Sequence, residues 1–194
     1  MILSDRDIKS FFKEGKIKII PKPDWNIQLG PASVDFRLGE EFRVFNHAIN
    51  PYIDPQKKET FQNLTKKVRV EEGSSFVLQP KQFILGVTLE EIEVSDDIGA
   101  RIEGRSSWGR LGIIIHSTAG YIDPGFKGRL TLEISNIGML PVLLYPKMRI
   151  CQIAFESLSS PAEIPYYKKK DVKYFGDTEP QESRIHKDLK SNIL

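Results

Sequence analysis

The feature that most constrains the fold of this chain is a series of short segments in which apolar and polar residues alternate, each ended by turn residues. Alternation with a period of two is typical of a half-buried β-strand. After residue 67 the predicted strands are 68–70, 75–78, 83–89, 98–103, 113–116, 129–136, 142–144 and 149–156. Because no helical segment separates them, the pattern predicts a mainly β chain, a distorted β-barrel or jelly roll.

The N-terminal region contains the one segment with helical spacing. Ser4 is a predicted N-cap, Asp7 lies in the first turn, and Gly15 is the predicted stop of a short helix over residues 5–14. Three further strands are predicted before residue 46, at 16–20, 33–38 and 41–45. The last two are predicted to pair as a hairpin.

Two segments lack this periodicity. Residues 46–67 are rich in Pro, Asn, Gln and Lys, which predicts a long loop or insertion. The tail after Pro165 is basic and then mixed and has little apolar content, so we expect it to be mobile unless a ligand or partner orders it. The 194 residues suit a single domain, 1–194.

Charge and cysteine content narrow the classes of function. The net charge of +2 is too small for a global field that attracts nucleic acid, so we expect no nucleic-acid partner and any anion site must be local. No apolar run approaches 18 residues and no signal-peptide pattern is seen, so we expect no membrane association and a cytoplasmic protein. The single cysteine, Cys151, excludes an intrachain disulfide. The three histidines (His47, His116, His186) are far apart in sequence, and no Cys/His spacing indicates zinc or another protein-held metal.

Residues 104–110 form a candidate anion site. Arg105 and Arg110 flank Ser106, Ser107 and a glycine. The arginine fork matches phosphate oxygens and serine hydroxyls add short hydrogen bonds. Gly109 lets backbone N–H groups approach an anion. The alternative is a surface turn with ordinary solvated arginines.

Two carboxylates follow closely. Glu133 shares one strand face with Thr131, whereas Leu132 lies on the other, so Glu133 faces either a pocket or solvent. Asp123 precedes Pro-Gly and is either a site residue or a turn former that bonds its own backbone.

Small and polar residues elsewhere complete the set of candidates. Ala119 and Gly120 let the chain pass close to a ring or sugar, or simply make a tight turn. Gln152 lies among apolar strand residues and needs a hydrogen-bond partner, which either the protein or a ligand provides.

Taken together, these motifs resemble the deoxycytidine triphosphate deaminase family of the trimeric dUTPase superfamily. The resemblance runs over nearly the whole chain and is specific. The segments that carry it are 1–8, 31–39, 104–112, 122–126, 131–133, 160–162, 165–166, 173–174 and 183–188.

The resemblance implies a β-rich homotrimer with active sites between subunits, acting on dCTP and dUTP, with dTTP as a candidate inhibitor. Glu133 matches the catalytic glutamate, and zinc is not implied because the signature of zinc deaminases is missing. Magnesium would travel with the nucleotide phosphates. Residues implied to bind substrate are Arg105, Ser106, Ser107, Trp108, Gly109, Arg110, Asp123, Thr131, Leu132, Gln152, Tyr166 and Lys173. Residues 166–194 would be a C-terminal closing segment.

The family has two types, and Ala119-Gly120 is the pair that distinguishes them. Bifunctional members, which form dUMP, resemble this chain there, whereas monofunctional members carry Ala-His and release dUTP. We therefore expect a bifunctional enzyme. The alternatives are a monofunctional deaminase, a dUTPase or a non-catalytic nucleotide-binding regulator. One departure concerns the tail, where Asp177 stands near the place of a family glutamine.

Overall fold

The computed structural model describes residues 1–46 and 52–190. Strands dominate it, so the predicted mainly β class is confirmed. The strands are β1 (Ile17–Ile20), β2 (Val34–Arg37), β3 (Glu41–Phe45), β4 (Thr65–Arg69), β5 (Phe76–Leu78), β6 (Phe83–Val94), β7 (Ile98–Gly104), β8 (Ile113–Ile114), β9 (Tyr121–Ile122), β10 (Lys127–Asn136), β11 (Val142–Leu144) and β12 (Arg149–Ser157).

Helical structure is brief. The N-terminal helix α1 (Asp5–Lys13) is capped as predicted, since the Ser4 hydroxyl accepts a hydrogen bond from the Asp7 N–H. Gly15 follows with φ of +77°, a conformation that favours glycine. A second helix, α2 (Ser106–Gly109), was not predicted. Short 3₁₀ helices lie at Lys58–Phe61, Tyr166–Lys168 and Ile185–Lys190.

Most strands belong to two antiparallel sheets that enclose the core. One has the order β4-β3-β6-β10-β8, with β1 also paired to β6, and the other has the order β2-β12-β7-β9. The pair β5–β11 is separate. The largest fully buried side chains include Phe36 of β2, Phe42 of β3 and Phe155 of β12. The described strands thus form a distorted β fold in which the two sheets remain distinct.

The predicted hairpin between residues 33–38 and 41–45 is wrong. β2 pairs with β12, whereas β3 pairs with β4 and β6. The chain passes from one sheet to the other at Gly39, whose N–H donates to the Val87 carbonyl at 2.8 Å. A Cβ at Gly39 would lie 3.0 Å from that oxygen, so this crossing needs a glycine.

The predicted loop at 46–67 is only partly correct. Residues 47–51, including His47, lie outside the described residues, and β4 begins at Thr65 rather than at residue 68. Its first residues, Thr65 to Lys67, are polar and pair with β3 at the edge of the sheet. Because this edge strand shows no alternation of apolar and polar residues, the sequence pattern predicted a loop there.

The larger remaining differences from the predicted strands concern β6, β8 and β9. β6 continues to Val94 and contains Glu90, which is fully buried and ion-paired with Arg37 at 2.6 Å. β8 is shorter than predicted, and the two-residue β9 was missed. Over the part of the chain that the structure describes, no helix is both long and apolar enough to cross a membrane.

Candidate active site

A cavity of about 440 Å³ lies beside β10, between β9 and the C-terminal segment. Its walls are largely apolar, with Phe45, Phe83 and Leu85 among them. Concave apolar pockets with a few convergent polar groups are the usual form of a small-molecule site. Predicted site residues on its lining are Ala119, Asp123, Thr131, Glu133 and Tyr166.

β10 delivers two of these residues because its side chains alternate across the sheet. Thr131 and Glu133 face the cavity, while Leu132 is fully buried in the core on the opposite face. The Leu132 side chain therefore does not line the cavity, and the substrate contact expected of this residue would be made by its backbone.

Glu133 is held in place by a neighbouring segment. The Ser117 N–H donates to Glu133 Oε2 at 3.2 Å, and the Ser117 hydroxyl lies 3.5 Å from the Glu133 carbonyl oxygen. One carboxylate oxygen is thus fixed by the protein. Oε1 has no hydrogen-bond partner among the described residues and is available to a water molecule or a ligand.

The turn that contains Ala119 and Gly120 packs tightly against β7. The Ile102 N–H donates to the Gly120 carbonyl at 2.7 Å, and a Cβ at Gly120 would lie 3.0 Å from the Ile102 oxygen. Ala119 lines both the cavity and an adjoining polar groove of about 400 Å³, and Gly120 lines the groove. The small residues thus serve a close backbone approach as well as the cavity wall.

Asp123 joins the cavity to the C-terminal segment. Its backbone closes a turn, with the Phe126 N–H donating to the Asp123 carbonyl at 3.1 Å. Its carboxylate lies 3.5 Å from Lys169 Nζ. Tyr166 packs on Phe126, with ring centroids 5.5 Å apart, and its hydroxyl accepts from the Tyr174 N–H. Asp123 is therefore a turn residue whose carboxylate stays at the cavity.

The tail lies on the body of the same chain as far as residue 190, and its expected mobility without a ligand or partner stays a prediction. The Gly176 N–H donates to the Lys127 carbonyl, and the Arg129 N–H donates to the Asp177 carbonyl, both at 2.8 Å. Further along, the Gln181 N–H donates to the Thr131 hydroxyl at 3.1 Å. These contacts with β10, which composition does not reveal, fasten the tail beside the cavity.

Two charged tail residues, Asp177 and Lys173, each form an ion pair with another residue of the tail. Asp177 lines the cavity and forms an ion pair with Arg184 at 3.0 Å, so its negative charge is compensated. Lys173 pairs with Asp188 at 2.5 Å and is not part of the cavity lining.

The 105–110 segment lies apart from the cavity, at the end of β7. Ser106, Ser107, Gly109 and Arg110 are exposed on and after α2. Trp108 fastens the segment, because its indole N–H donates to the Arg149 carbonyl at 3.0 Å.

Gln152 lies on the same side as this segment. Its amide accepts from the Ser33 hydroxyl at 3.2 Å and donates to the Gly104 carbonyl at 3.3 Å, so the protein supplies partners. The adjacent Cys151 is fully buried, and burial raises the pKa of its thiol, so a nucleophilic role is not supported. Most predicted site residues thus fall into two groups. One lies at the cavity around Glu133, and the other, the Arg105 group, consists of Arg105, Ser106, Ser107, Trp108, Gly109, Arg110 and Gln152.

His116 and Arg129 are two of the cavity-lining residues that were not predicted as site residues. Both ring nitrogens of His116 are buried and have no hydrogen-bond partner among the described residues. Arg129 shares the cavity face of β10 with Thr131 and Glu133, and this alternation was a signal that could have identified it. For His116 the sequence offered no such signal, because it ends an apolar run.

Magnesium is the metal ion that the family resemblance implies. Among residues 1–46 and 52–190, no three His, Cys, Asp or Glu side chains cluster as metal ligands. The described carboxylates at the cavity do not form a protein cage, and Asp123 and Asp177 are already paired with cations. This donor set suits an ion held chiefly by nucleotide phosphates and water.

A family model described as dCTP deaminase-like matches residues 2–158. The chain is 54% identical to the "dCTP deaminase, dUMP-forming" of Dictyoglomus thermophilum over 97% of each chain. It is 50% identical to the protein of the same name from Methanobrevibacter smithii over 96% of each chain.

A solved structure agrees with the fold. The 2'-deoxycytidine 5'-triphosphate deaminase of Agrobacterium tumefaciens superposes with a TM-score of 0.62 at 26% identity. The match covers 80% of this chain and 47% of that one, so the chain spans about half the length of that structure. With the family match over most of its length, the chain belongs to the dCTP deaminase-like family.

Proposed function

We propose that this protein deaminates dCTP at cytosine C4 and then hydrolyses the triphosphate, giving dUMP, ammonia and diphosphate. The observation that carries the proposal is Glu133 on the cavity wall, with one carboxylate oxygen fixed by the Ser117 N–H. The relatives named above, about half identical over the full chain, bear the name of this activity.

Glu133 suits the first reaction because deamination needs one group that moves protons in two directions. Its carboxylate takes a proton from water, and the hydroxide adds to C4 of the base. The same carboxyl group gives this proton to N3, then takes the proton of the new C4 hydroxyl and gives it to N4. The C4–N4 bond breaks to release ammonia and leave the C4 carbonyl. A single positioned carboxyl group can act as base and then as acid in this way.

The second reaction needs a water molecule in line with the α-phosphorus. This water adds to phosphorus, the bond to the bridging oxygen breaks, and diphosphate leaves. Ala119 on the cavity wall supports this step, since a small side chain leaves room for a water molecule near the nucleotide. Gly120 keeps the turn close to β7, so no bulky side chain enters there.

The complete site would lie between subunits of a homotrimer. The separation of the Arg105 group from the cavity supports this arrangement, because the two groups lie in different parts of one chain. In this arrangement the triphosphate of a nucleotide in a neighbouring subunit's cavity would be held by Arg105, Ser106, Ser107, Gly109 and Arg110. Gln152 would contact the same nucleotide. Asp123 would bind the deoxyribose and Thr131 would face the base.

The segment 166–194 would close over the phosphates with Tyr166 and Lys173. Magnesium would add positive charge at those phosphates. dTTP, which resembles dUTP closely, would compete for the same cavity. A cytoplasmic location and the lack of a nucleic-acid partner stay predictions.

Product analysis of the purified protein with dCTP and magnesium tests the proposal. We expect ammonia, dUMP and diphosphate in equal amounts with little free dUTP. Accumulation of dUTP with ammonia would mean a monofunctional deaminase. Hydrolysis of added dUTP without ammonia from dCTP would mean a dUTPase, and binding without turnover would mean a regulator.

The variant Glu133→Gln tests the role of Glu133 directly. The amide keeps the shape of the side chain but cannot take the proton, so we expect kcat for ammonia release to fall by about 10³-fold. Nucleotide affinity, measured by calorimetry, should change little. Unchanged ammonia release would contradict the assignment of Glu133.

A further inference from the structure

Asp35, on β2, contacts Arg105, the first residue of the Arg105 group. Its Oδ2 lies 3.3 Å from Arg105 Nε and 3.1 Å from Arg149 Nη1, and its side chain is 15% exposed. One carboxylate oxygen therefore sits between two guanidinium groups. Asp35 was not singled out in the sequence, because it looks like an ordinary polar residue on an alternating strand.

Asp35 is itself held rigidly. Its N–H donates to the Gln28 carbonyl at 2.7 Å, and its carbonyl accepts from the Gln28 amide at 2.8 Å. Gln28 is 4% exposed. On β12 the residue directly opposite Asp35 is Gln152, another member of the Arg105 group. A backbone anchored on both sides fixes where the carboxylate can reach.

These contacts orient the Arg105 guanidinium without using all of its donors. Nε faces Asp35, and Nη1 donates to the Arg149 carbonyl at 3.2 Å. Nη2 has no partner among the described residues. A guanidinium held through two of its three nitrogens, with the third still free to donate, is suited to a phosphate oxygen.

We infer that Asp35 is a positioning residue for the phosphate end of the nucleotide and acts through Arg105. The inference rests on the proposed function in that it takes a nucleoside triphosphate as the ligand. Asp35 does not touch the ligand. It restricts the rotamers of Arg105, so that less conformational freedom is lost when the phosphate binds.

The experiment is a set of binding measurements on the full chain with magnesium. The ligands are α,β-imido-dUTP, which resists hydrolysis, and deoxyuridine, which lacks phosphate. For Asp35→Asn we expect the Kd of the triphosphate to rise about tenfold, as for a lost charge-assisted contact. The Kd of deoxyuridine should stay within about twofold, since the base and sugar do not reach Arg105.

A double-mutant cycle shows whether the effect passes through Arg105. In an Arg105→Lys background, where the fork is missing, adding Asp35→Asn should change the triphosphate Kd by less than about twofold. A further tenfold loss in that background would overturn the inference. Equal weakening of both ligands by Asp35→Asn would also overturn it, because it would indicate general distortion.

Matched controls keep the result interpretable. Asp97→Asn removes a comparable carboxylate, one paired with Lys16 at 2.6 Å, and should leave both Kd values unchanged. If Asp35→Asn does not fold, Asp35→Glu decides, with an expected loss of about threefold for the triphosphate alone. Because binding needs no turnover, a wild type that releases no ammonia would refute the proposed function and leave this test intact.

Discussion

At Gly120 the backbone leaves little space for a side chain, since a Cβ would lie 3.0 Å from the Ile102 carbonyl oxygen and 3.8 Å from His116. Any substitution there combines two effects, a local shift of the turn and the bulk of the new side chain. The two can be separated by comparing a large and a small replacement.

We expect Gly120→His to slow diphosphate formation about tenfold or more while deamination falls less, because the imidazole would displace a water molecule near the α-phosphorus. Gly120→Ala is the control, since it makes the same Cβ contact without the ring. Rates of ammonia and diphosphate release from dCTP provide the comparison. If both substitutions slow both reactions equally, the turn has only a structural role.

Strand alternation predicted that Thr131 and Glu133 share one face of β10, toward a pocket or solvent, and the structure places both at the cavity. The same rule places the Leu132 side chain in the core, so the substrate contact expected of this residue would be made by its backbone. His116 could not have been identified in this way. Its place at the cavity depends on how the segment after β8 turns past β7.

At the scale of elements, the contact between β10 and the tail depends on one glycine. Gly128 has φ of +147°, and a Cβ there would lie 3.0 Å from the Asp177 carbonyl oxygen. The tail therefore needs both the unusual backbone and the open space.

Gly128→Ala should loosen the tail, because strain of about 1–3 kcal/mol is added where the tail crosses β10. We expect faster proteolysis after residue 165 and a higher Kd for α,β-imido-dUTP. Gly73→Ala is the matched control, since Gly73 has φ of +83° but nothing within 4 Å. A variant whose tail is cut no faster than in the Gly73 control would show that the crossing tolerates a side chain.

A second element-scale contact ties the start of β1 to the turn before β7. The hydrogen bond from Lys16 holds the pKa of the Asp97 carboxyl below its ordinary value of 3.8, and Ser95 adds to the effect. The same pair raises the pKa of Lys16 above 10.5. Because the pKa of Asp97 is lower in the folded than in the unfolded state, its ionised carboxylate stabilises the fold at pH values above the unfolded-state pKa. This stabilisation is lost as the pH falls through the folded-state pKa.

Asp97→Asn should therefore lower Tm by about 2 °C near pH 7, a small effect because the pair is partly exposed. The difference from wild type should vanish as the pH falls below the ordinary aspartate value. Thermal unfolding followed between pH 2 and pH 8 measures this. A difference in Tm that is independent of pH would mean that the ion pair is not its cause.

For the whole molecule, the separation of the Glu133 cavity from the Arg105 group leads to a test of shared sites. If one site takes Glu133 from one subunit and Arg105 from the next, Glu133→Gln and Arg105→Gln chains complement each other. Random trimers from equal co-expression would contain about a quarter of intact sites. Activity near that level supports the shared site, whereas mixtures no more active than either variant alone contradict it.

Much of the fold and of the candidate site could be predicted from local pattern. The positions of most strands, the capped helix α1 and the chemistry of residues 104–133 all depend on side chains a few positions apart. The predicted pairing of strands was the part that was wrong. β2 and β3 are adjacent in sequence yet lie in different sheets, because Gly39 crosses between them and the core accepts Phe36 and Phe42 from opposite sides.

The sequence by itself therefore determined the strand content and the residue types that can bind a nucleotide and move a proton, because alternation and motif spacing are local properties. Only the tertiary structure decided that Asp35 lies against Arg105, that Asp177 is neutralised by Arg184, and that the tail lies on β10. Such contacts join residues far apart in the chain, and no local pattern specifies which distant groups will meet.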